Sequence, residues 1–304
     1  MKNLIKKALK IILTQITKIS PKLSSKLHYY YVFHKKLNIK KPSTFNEKIQ
    51  WLKLNIYPRD KLYTICADKY KVRDYVVDKG CREILNELIA SYDSINEIDW
   101  DTLPNEFVIK CNHGAGYNII CQNKKNLDIH MAKELIKRWL NEDYWLKMAE
   151  THYKKIPKKI IIEKLIKNEK NQLPEDYKVY CFNGKPEFVM ICCERNTGHP
   201  KYYFVDKNFN LLPFGSAYEK NPNIKLDKPL GFDELFIYAE KLCQDFIFVR
   251  ADFYINDSNI IFGELTFTPA AGLDNKISNV LLPNGDAIMG EYLKLPKLPY
   301  HSKG

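Results

Sequence analysis

Between Phe248 and Leu265 the chain reads FVRADFYINDSNIIFGEL, two strand-like apolar runs joined by the polar turn NDSN. Each run carries one acid, Asp252 and Glu264, where a buried strand would usually hold another Val or Ile. Period-two alternation puts Arg250, Asp252 and Tyr254 on one face of the first run, and Glu264, Thr266 and Thr268 on one face of the second. A connecting loop of three or five residues sets Asp252 directly across the hairpin from Glu264. Two carboxylates so placed repel, and among Phe, Val and Ile they would be driven to protonate. A divalent cation removes both penalties. Hard oxygen ligands at this spacing suit Mg²⁺, which keeps waters and borrows its remaining ligands from substrate phosphates. Arg250, on the same face, suits phosphate charge. The plainer alternative is a solvent-facing hairpin with two ordinary acids.

A phosphate-bearing ligand needs more grips, and FVIKCNHGAGYNIIC at 107–121 supplies them. A strand ends at Lys110, a loop with Gly114 and Gly116 follows, and a second strand begins at Asn118. Glycine lets backbone N–H groups approach and cradle phosphates. The spacing fits neither the P-loop nor the dinucleotide fingerprint and no helix follows, so the expectation is a hairpin flap over a nucleotide, with a plain turn as the alternative. In KKIIIEKLIKNE, Glu163 ends an apolar strand shortly before Leu165, and a strand turning into a hinge offers an adenine amino group a carboxylate and a backbone carbonyl; a plain exposed strand end is the equal alternative. In DYKVYCFNGKP, Asp176 and Lys178 share one face of a strand, with an ordinary surface ion pair as the plainer alternative.

The rest of the chain frames these pieces. With 304 residues, 45% of them hydrophobic, it is long and apolar enough for one large or two moderate globular domains. Its eight cysteines include no C-x-x-C pair and sit among apolar residues; they read as free buried thiols of a reducing, cytoplasmic compartment. Residues 1–82 hold 20 Lys/Arg against 5 Asp/Glu, which points to an anionic partner or to a merely Lys-rich surface. No aromatic and Arg platform for bases is present, so nucleic acid ranks low. Leu4, Ile5, Ala8, Ile12, Ile16 and Ile19 form one helical stripe among lysines, expected either to pack on the chain's own core or to lie on the inner face of a membrane. A helical, Tyr-rich and basic region is expected over 1–103, with a capping box at Ser43 or Thr44 and Glu47. Short strands follow over 104–304, with helical periodicity at 128–149 and 232–245. The fold class is α+β.

Taken in order, the Lys–Gly loop, the IIIEKL hinge, the DYKVYCFNGKP strand pair and the acids of VRADFY and FGELT resemble the ATP-grasp superfamily. STFNEKIQWLKL, FVIKCNHGAGYN, DYKVYCFNGKPEF and FVRADFY…IFGELTF resemble, more closely, the TupA-like ATP-grasp family of bacterial polysaccharide and teichuronopeptide biosynthesis, over about residues 42–275. That resemblance implies an ATP-grasp fold with ATP and Mg²⁺ as cofactors. It implies that Lys110 holds ATP phosphate, Glu163 and the Leu165 backbone read adenine, Asp176 faces the ribose with Lys178 beside the phosphates, Asp252 and Glu264 bind Mg²⁺, and Arg250 stabilises the transferring phosphoryl group. Where many ATP-grasp enzymes place Asn two residues after the second acid, this chain has Thr266.

The implied reaction is carboxylate activation: an acylphosphate forms on a uronic-acid glycan or other acidic acceptor, and an amine attacks it to give an amide. Arg195, His113 and His199 are candidate acceptor-side contacts. A sugar kinase using the same ATP site stays open, as does a glycosyltransferase using Asp99 and Asp101 of DWD. A non-catalytic membrane-surface scaffold would leave the inward acids unexplained.

Overall fold

The computed structural model describes residues 2–168, 172–194, 198–256 and 258–298, with side chains described from residue 11 onward. Two antiparallel sheets organise it. The smaller has the strand order β1 (Leu88–Tyr92), β4 (Ile160–Glu163), β2 (Phe107–Cys111), β3 (Asn118–Cys121). The larger runs β10 (Asn259–Thr266), β9 (Phe248–Asn256), β5 (Asp176–Phe182), β6 (Lys185–Cys193), β7 (Lys201–Asp206), β8 (Leu211–Leu212). The α+β class is observed directly.

Each sheet has its own core. On the smaller one, β2 and β4 bury Phe107, Ile109, Ile160 and Ile162 against α6 (Ile129–Asn141), whose stripe offers Ala132, Ile136 and Trp139. Asp128 caps α6 by accepting from the Met131 N–H. The helix stops at Asn141, short of the expected 149, and 3-10 turns at 144–146 and 151–153 carry the chain on. On the larger sheet, α8 (Phe232–Cys243) covers one face, while α3 (Phe45–Asn55), α4 (Lys61–Ala67) and α5 (Val72–Asp78) enter the same core through Phe45, Ile49, Tyr63 and Val76. Helix α3 begins with the full capping box: Thr44 accepts from the Glu47 N–H, and Glu47 reaches back to the Thr44 backbone. Two short helices, α7 (Gly215–Lys220) and α9 (Gly285–Tyr292), complete the order.

α1 (Lys2–Ile19) and α2 (Pro21–Phe33) form a helical hairpin, with Ser20 capping α2 and Pro21 at its first position. Of the expected apolar stripe, Leu4, Ile5 and Ala8 lie outside the described side chains. Ile16 is half-buried, whereas Ile12 and Ile19 face solvent. The inner surface is made instead by Thr17, Ser24, Ser25 and His28, small or hydrogen-bonding side chains that let the two helices approach. All eight cysteines are free, and seven are buried. Among the described residues no helix is long and apolar enough to cross a membrane.

Candidate active site

Asn256 pairs with Asn259, so the β9–β10 turn holds two residues, not the three or five that would set the two acids opposite each other in a regular hairpin. A regular two-residue hairpin would set Asp252 against Gly263. A β-bulge between Phe262 and Glu264 shifts the register by one, and Glu264 stands opposite Asp252 after all. Gly263 suits the bulge because a Cβ there would lie 3.0 Å from the Asp252 carbonyl oxygen.

The register runs on into β5, where Lys178 is the partner of Asp252. Glu264, Asp252 and Lys178 therefore form a row across three strands, with Thr266, Arg250 and Tyr180 in the next row. Asp252, buried, receives Arg250 through both oxygens at 2.7 Å and Lys178 at 2.7 Å. Lys178 also donates to Asp176. Burial works against the Lys178 charge, but Asp252 and Asp176 more than restore it and its pKa is raised. Burial likewise works against Arg250, and Asp252 outweighs it.

Glu264 is the more open acid. Burial would push its pKa up; Lys69 foremost, then Lys178 and Arg250, pull it down to about 2. Lys69 Nζ lies 3.0 Å from Glu264 and donates to the Gly114 carbonyl at 2.9 Å, so one ammonium ties the second acid to the glycine loop. Thr266 donates to Glu264 and accepts from Arg250, each at 3.3 Å. Cations of the chain itself thus offset the repulsion that, from the sequence, only a metal relieved. Among the described residues no cluster of three metal-ligating side chains exists. The donor set fits a Mg²⁺ ion that takes most of its oxygens from phosphates and water.

The glycine loop joins β2 to β3 as a hairpin. Asn112 anchors it, donating to Asp68 and the Pro157 carbonyl and accepting from the Lys159 N–H. Gly114 is packed: a Cβ would fall 2.6 Å from the Tyr144 ring. Gly116 sits at φ +75° with open space beside it. A cavity of about 170 Å³ lies where the two sheets face each other, lined by Lys69, Lys110, Gly116, Asp176, Lys178 and Glu264 together with Asp252.

Lys110 and Glu163 meet at 2.6 Å, and Arg73 holds the other Glu163 oxygen at 3.2 Å. Burial lowers and Glu163 raises the Lys110 pKa, with a net rise. Leu165 is buried just past β4 and lines neither cavity described in this section. His113 is not brought to the site: it packs on Tyr117 and bonds the Trp139 carbonyl oxygen, and burial lowers its pKa. His199 is exposed after β6, and Arg195 lies outside the described residues. Asp99 accepts from the Asp101 N–H in a turn anchored by buried Trp100, so DWD is occupied with its own capping.

Lys178 also lines a second cavity, of about 320 Å³, walled by Arg250, Tyr180, Tyr202 and Phe204 and by the loop that follows β10. In that loop Ala270 and Ala271 have φ of +46° and +59°, a conformation costing a non-glycine residue about 1–2 kcal/mol. Helix α3 holds it there. Gln50 donates to the Ala271 and Gly272 carbonyls, Lys53 to those of Ala271 and Met148, and Asn46 both donates to and accepts from the Asp274 backbone. These positions recur every three or four residues, one helical face whose polar groups are fully buried. Burial lowers the Lys53 pKa to about 8, Glu150 partly offsetting it.

The sequence profile of the TupA-like ATPgrasp family matches residues 47–294. The chain belongs to that family. Members of the TupA-like ATP-grasp family are ATP-dependent ligases. No curated protein matches the chain in sequence. Among solved structures it is similar to D-alanine–D-alanine ligase from Bacillus anthracis complexed with ATP, at 18% identity over 67% of this chain and 54% of that one, TM-score 0.39. It is similar to N5-carboxyaminoimidazole ribonucleotide synthetase in its ADP complex at 13% identity, over 75% and 52%, TM-score 0.45. For D-alanine–D-alanine ligase from Helicobacter pylori the figures are 15%, 83% and 70%, TM-score 0.41. The chain spans about half the length of the first two.

Proposed function

We propose that this TupA-like ligase joins a carboxylate to an amine, using ATP with Mg²⁺, in the synthesis of a cell-surface polysaccharide whose acceptor is a uronic acid or another acidic glycan. The observation that carries the reading is that Lys178 lines both cavities, with Arg250 beside it on the wall of the larger one. The acid-lined and glycine-flanked one suits the nucleotide phosphates. The aromatic one suits a ring-bearing acceptor whose carboxylate points at Arg250 and the shared Lys178. A carboxylate is ionised at neutral pH and attacks without a base. Its oxygen bonds to the γ-phosphorus as the bond to the β-phosphate oxygen breaks, and ADP leaves. Lys178 and Arg250 stabilise charge spread over the phosphoryl oxygens. The amine then attacks the acyl carbon, phosphate departs, and Asp274 on the acceptor cavity wall is placed to take the amine proton.

Asp252 and Glu264 would hold Mg²⁺, which would supply charge neutralisation for the phosphates. In the phosphate-holding role Lys110 turns from Glu163 to ATP, which frees a Glu163 oxygen for the adenine amino group. Asp176 and the hinge at Leu165 complete the nucleotide side.

With ATP, an amine and a uronic acid, phosphate should form at one per ADP, and hydroxylamine should trap the activated acid as a hydroxamate. Phosphate stably retained on the sugar, without hydroxamate, would replace this reading with a kinase. Glu264→Gln should cut turnover by about a hundredfold or more while leaving the fold intact, since Lys69 keeps an oxygen partner. Undiminished turnover would remove Glu264 from the site.

A further inference from the structure

The α1–α2 hairpin is built inside out. Where its helices meet, Thr17 and Ser24 are fully buried, with their hydroxyls 2.7 Å apart, and His28 continues the chain of hydrogen bonds. Its outer side is apolar. On α2, Leu23, Leu27, Tyr30 and Tyr31 recur at the spacing of one helical stripe, and all are exposed, Tyr31 by 71%. On α1, Ile12 and Ile19, two turns apart, are exposed by 55% and 87%. Large apolar side chains in water opposite buried hydroxyls are an arrangement that water disfavours.

Charge says what covers this face. The first 46 residues contain 11 lysines and no Asp or Glu. Lys18, Lys22, Lys26, Lys35 and Lys36 are all exposed, interleaved with the apolar stripe or following it. A second copy of the chain would bring like charge against like charge. An apolar stripe with a cationic border matches the acyl–headgroup boundary of an anionic bilayer. No described helix is able to span that bilayer, so the hairpin would lie on it. The inner side of the same hairpin reaches the core through Tyr29, packed with Leu37 and Leu273. Leu273 also lines the aromatic cavity, one helix layer from the outer face.

We propose that the α1–α2 hairpin is a membrane-docking element, seating its outward Ile, Leu and Tyr side chains in the interfacial zone of a bilayer rich in anionic lipid. The test is co-sedimentation of the full-length chain with vesicles of equal parts phosphatidylglycerol and phosphatidylcholine, and with vesicles of phosphatidylcholine alone. Binding is expected to the first and to be weak or absent on the second. The exposed-site pair Ile19→Asp with Tyr31→Asp should lower the bound-to-free ratio at least about tenfold, as should Lys18→Glu with Lys22→Glu and Lys26→Glu, with thermal midpoint and ATP turnover unchanged. Absence of binding at low salt overturns the proposal. So does binding that ignores the two apolar changes or that soluble heparin abolishes, either of which reduces the hairpin to an ionic patch for polyanions. A dimer that the apolar changes dissociate, without any effect on vesicles, would assign the face to a second copy.

Discussion

Helix α3 and the α1–α2 hairpin both bury side chains that usually face water, and they differ in where the partners lie. Asn46, Gln50 and Lys53 reach backbone groups of residues 271–274, more than two hundred residues downstream. Thr17, Ser24 and His28 bond one another within three helical turns. The first arrangement fixes a strained loop that walls the aromatic cavity and couples an early helix to the segment that follows the β9–β10 hairpin. The second holds two helices together and leaves their outer faces available. Buried polarity serves long-range specification in one place and local assembly in the other.

The comparison breaks most visibly at Gly272. Its φ is +70°, and a Cβ would lie 2.9 Å from Ile49 and 3.0 Å from Gln50 of α3. Gly272→Val should cost about 3 kcal/mol or more in urea unfolding and remove ATP turnover; wild-type stability would mean that the clamp is slack.

Lys53→Met should cost about 2 kcal/mol by stripping donors from the Met148 and Ala271 carbonyls, and should raise the KM for acceptor more than that for ATP. It should also change the alkaline limb. Lys53 loses its proton near pH 8 in the folded chain and near 10.5 unfolded, so the unfolded state holds more protons between these values and wild-type stability rises across that window. The variant should lack that rise.

His152 sharpens the contrast, because it is a buried polar ring near α3 with neither nitrogen partnered among the described residues, boxed by Tyr57, Tyr153 and Phe267. Burial lowers its pKa from 6.5 to about 3. As pH falls from 6.5 toward 3 the unfolded chain takes up the proton first, and stability is lost. His152→Phe should add about 1 kcal/mol at neutral pH and flatten this acid slope. An unchanged slope would show that the ring is already solvated. The smallest effect belongs to the hairpin: Ser24→Ala should cost about 1 kcal/mol or less and leave turnover untouched.

Much of the site could be read in the sequence because alternation along a strand assigns faces. Arg250, Asp252 and Glu264 were placed that way, as were Asp176 and Lys178, and the Thr44–Glu47 box announced α3. What stayed hidden depends on partners distant in sequence. Lys69, in ADKYK, has no periodic signature, and only the fold sets it between Glu264 and Gly114. The inward turn of Asn46, Gln50 and Lys53 ran against the expectation that such residues face water. The bulge at Gly263 was invisible because composition does not reveal a lost register step.

That bulge has a consequence for how a preparation of this protein should be judged. Phe262 and Glu264 lie two positions apart and on a regular strand would share a face; the extra residue sends the Phe ring to the core and the acid to the cleft. A hairpin zipped in the unbulged register would keep almost every backbone hydrogen bond and present the same circular dichroism, yet carry its second acid on the wrong side. Secondary structure content is therefore a poor certificate of competence for this chain, and active-site titration is the better measure of correctly folded material.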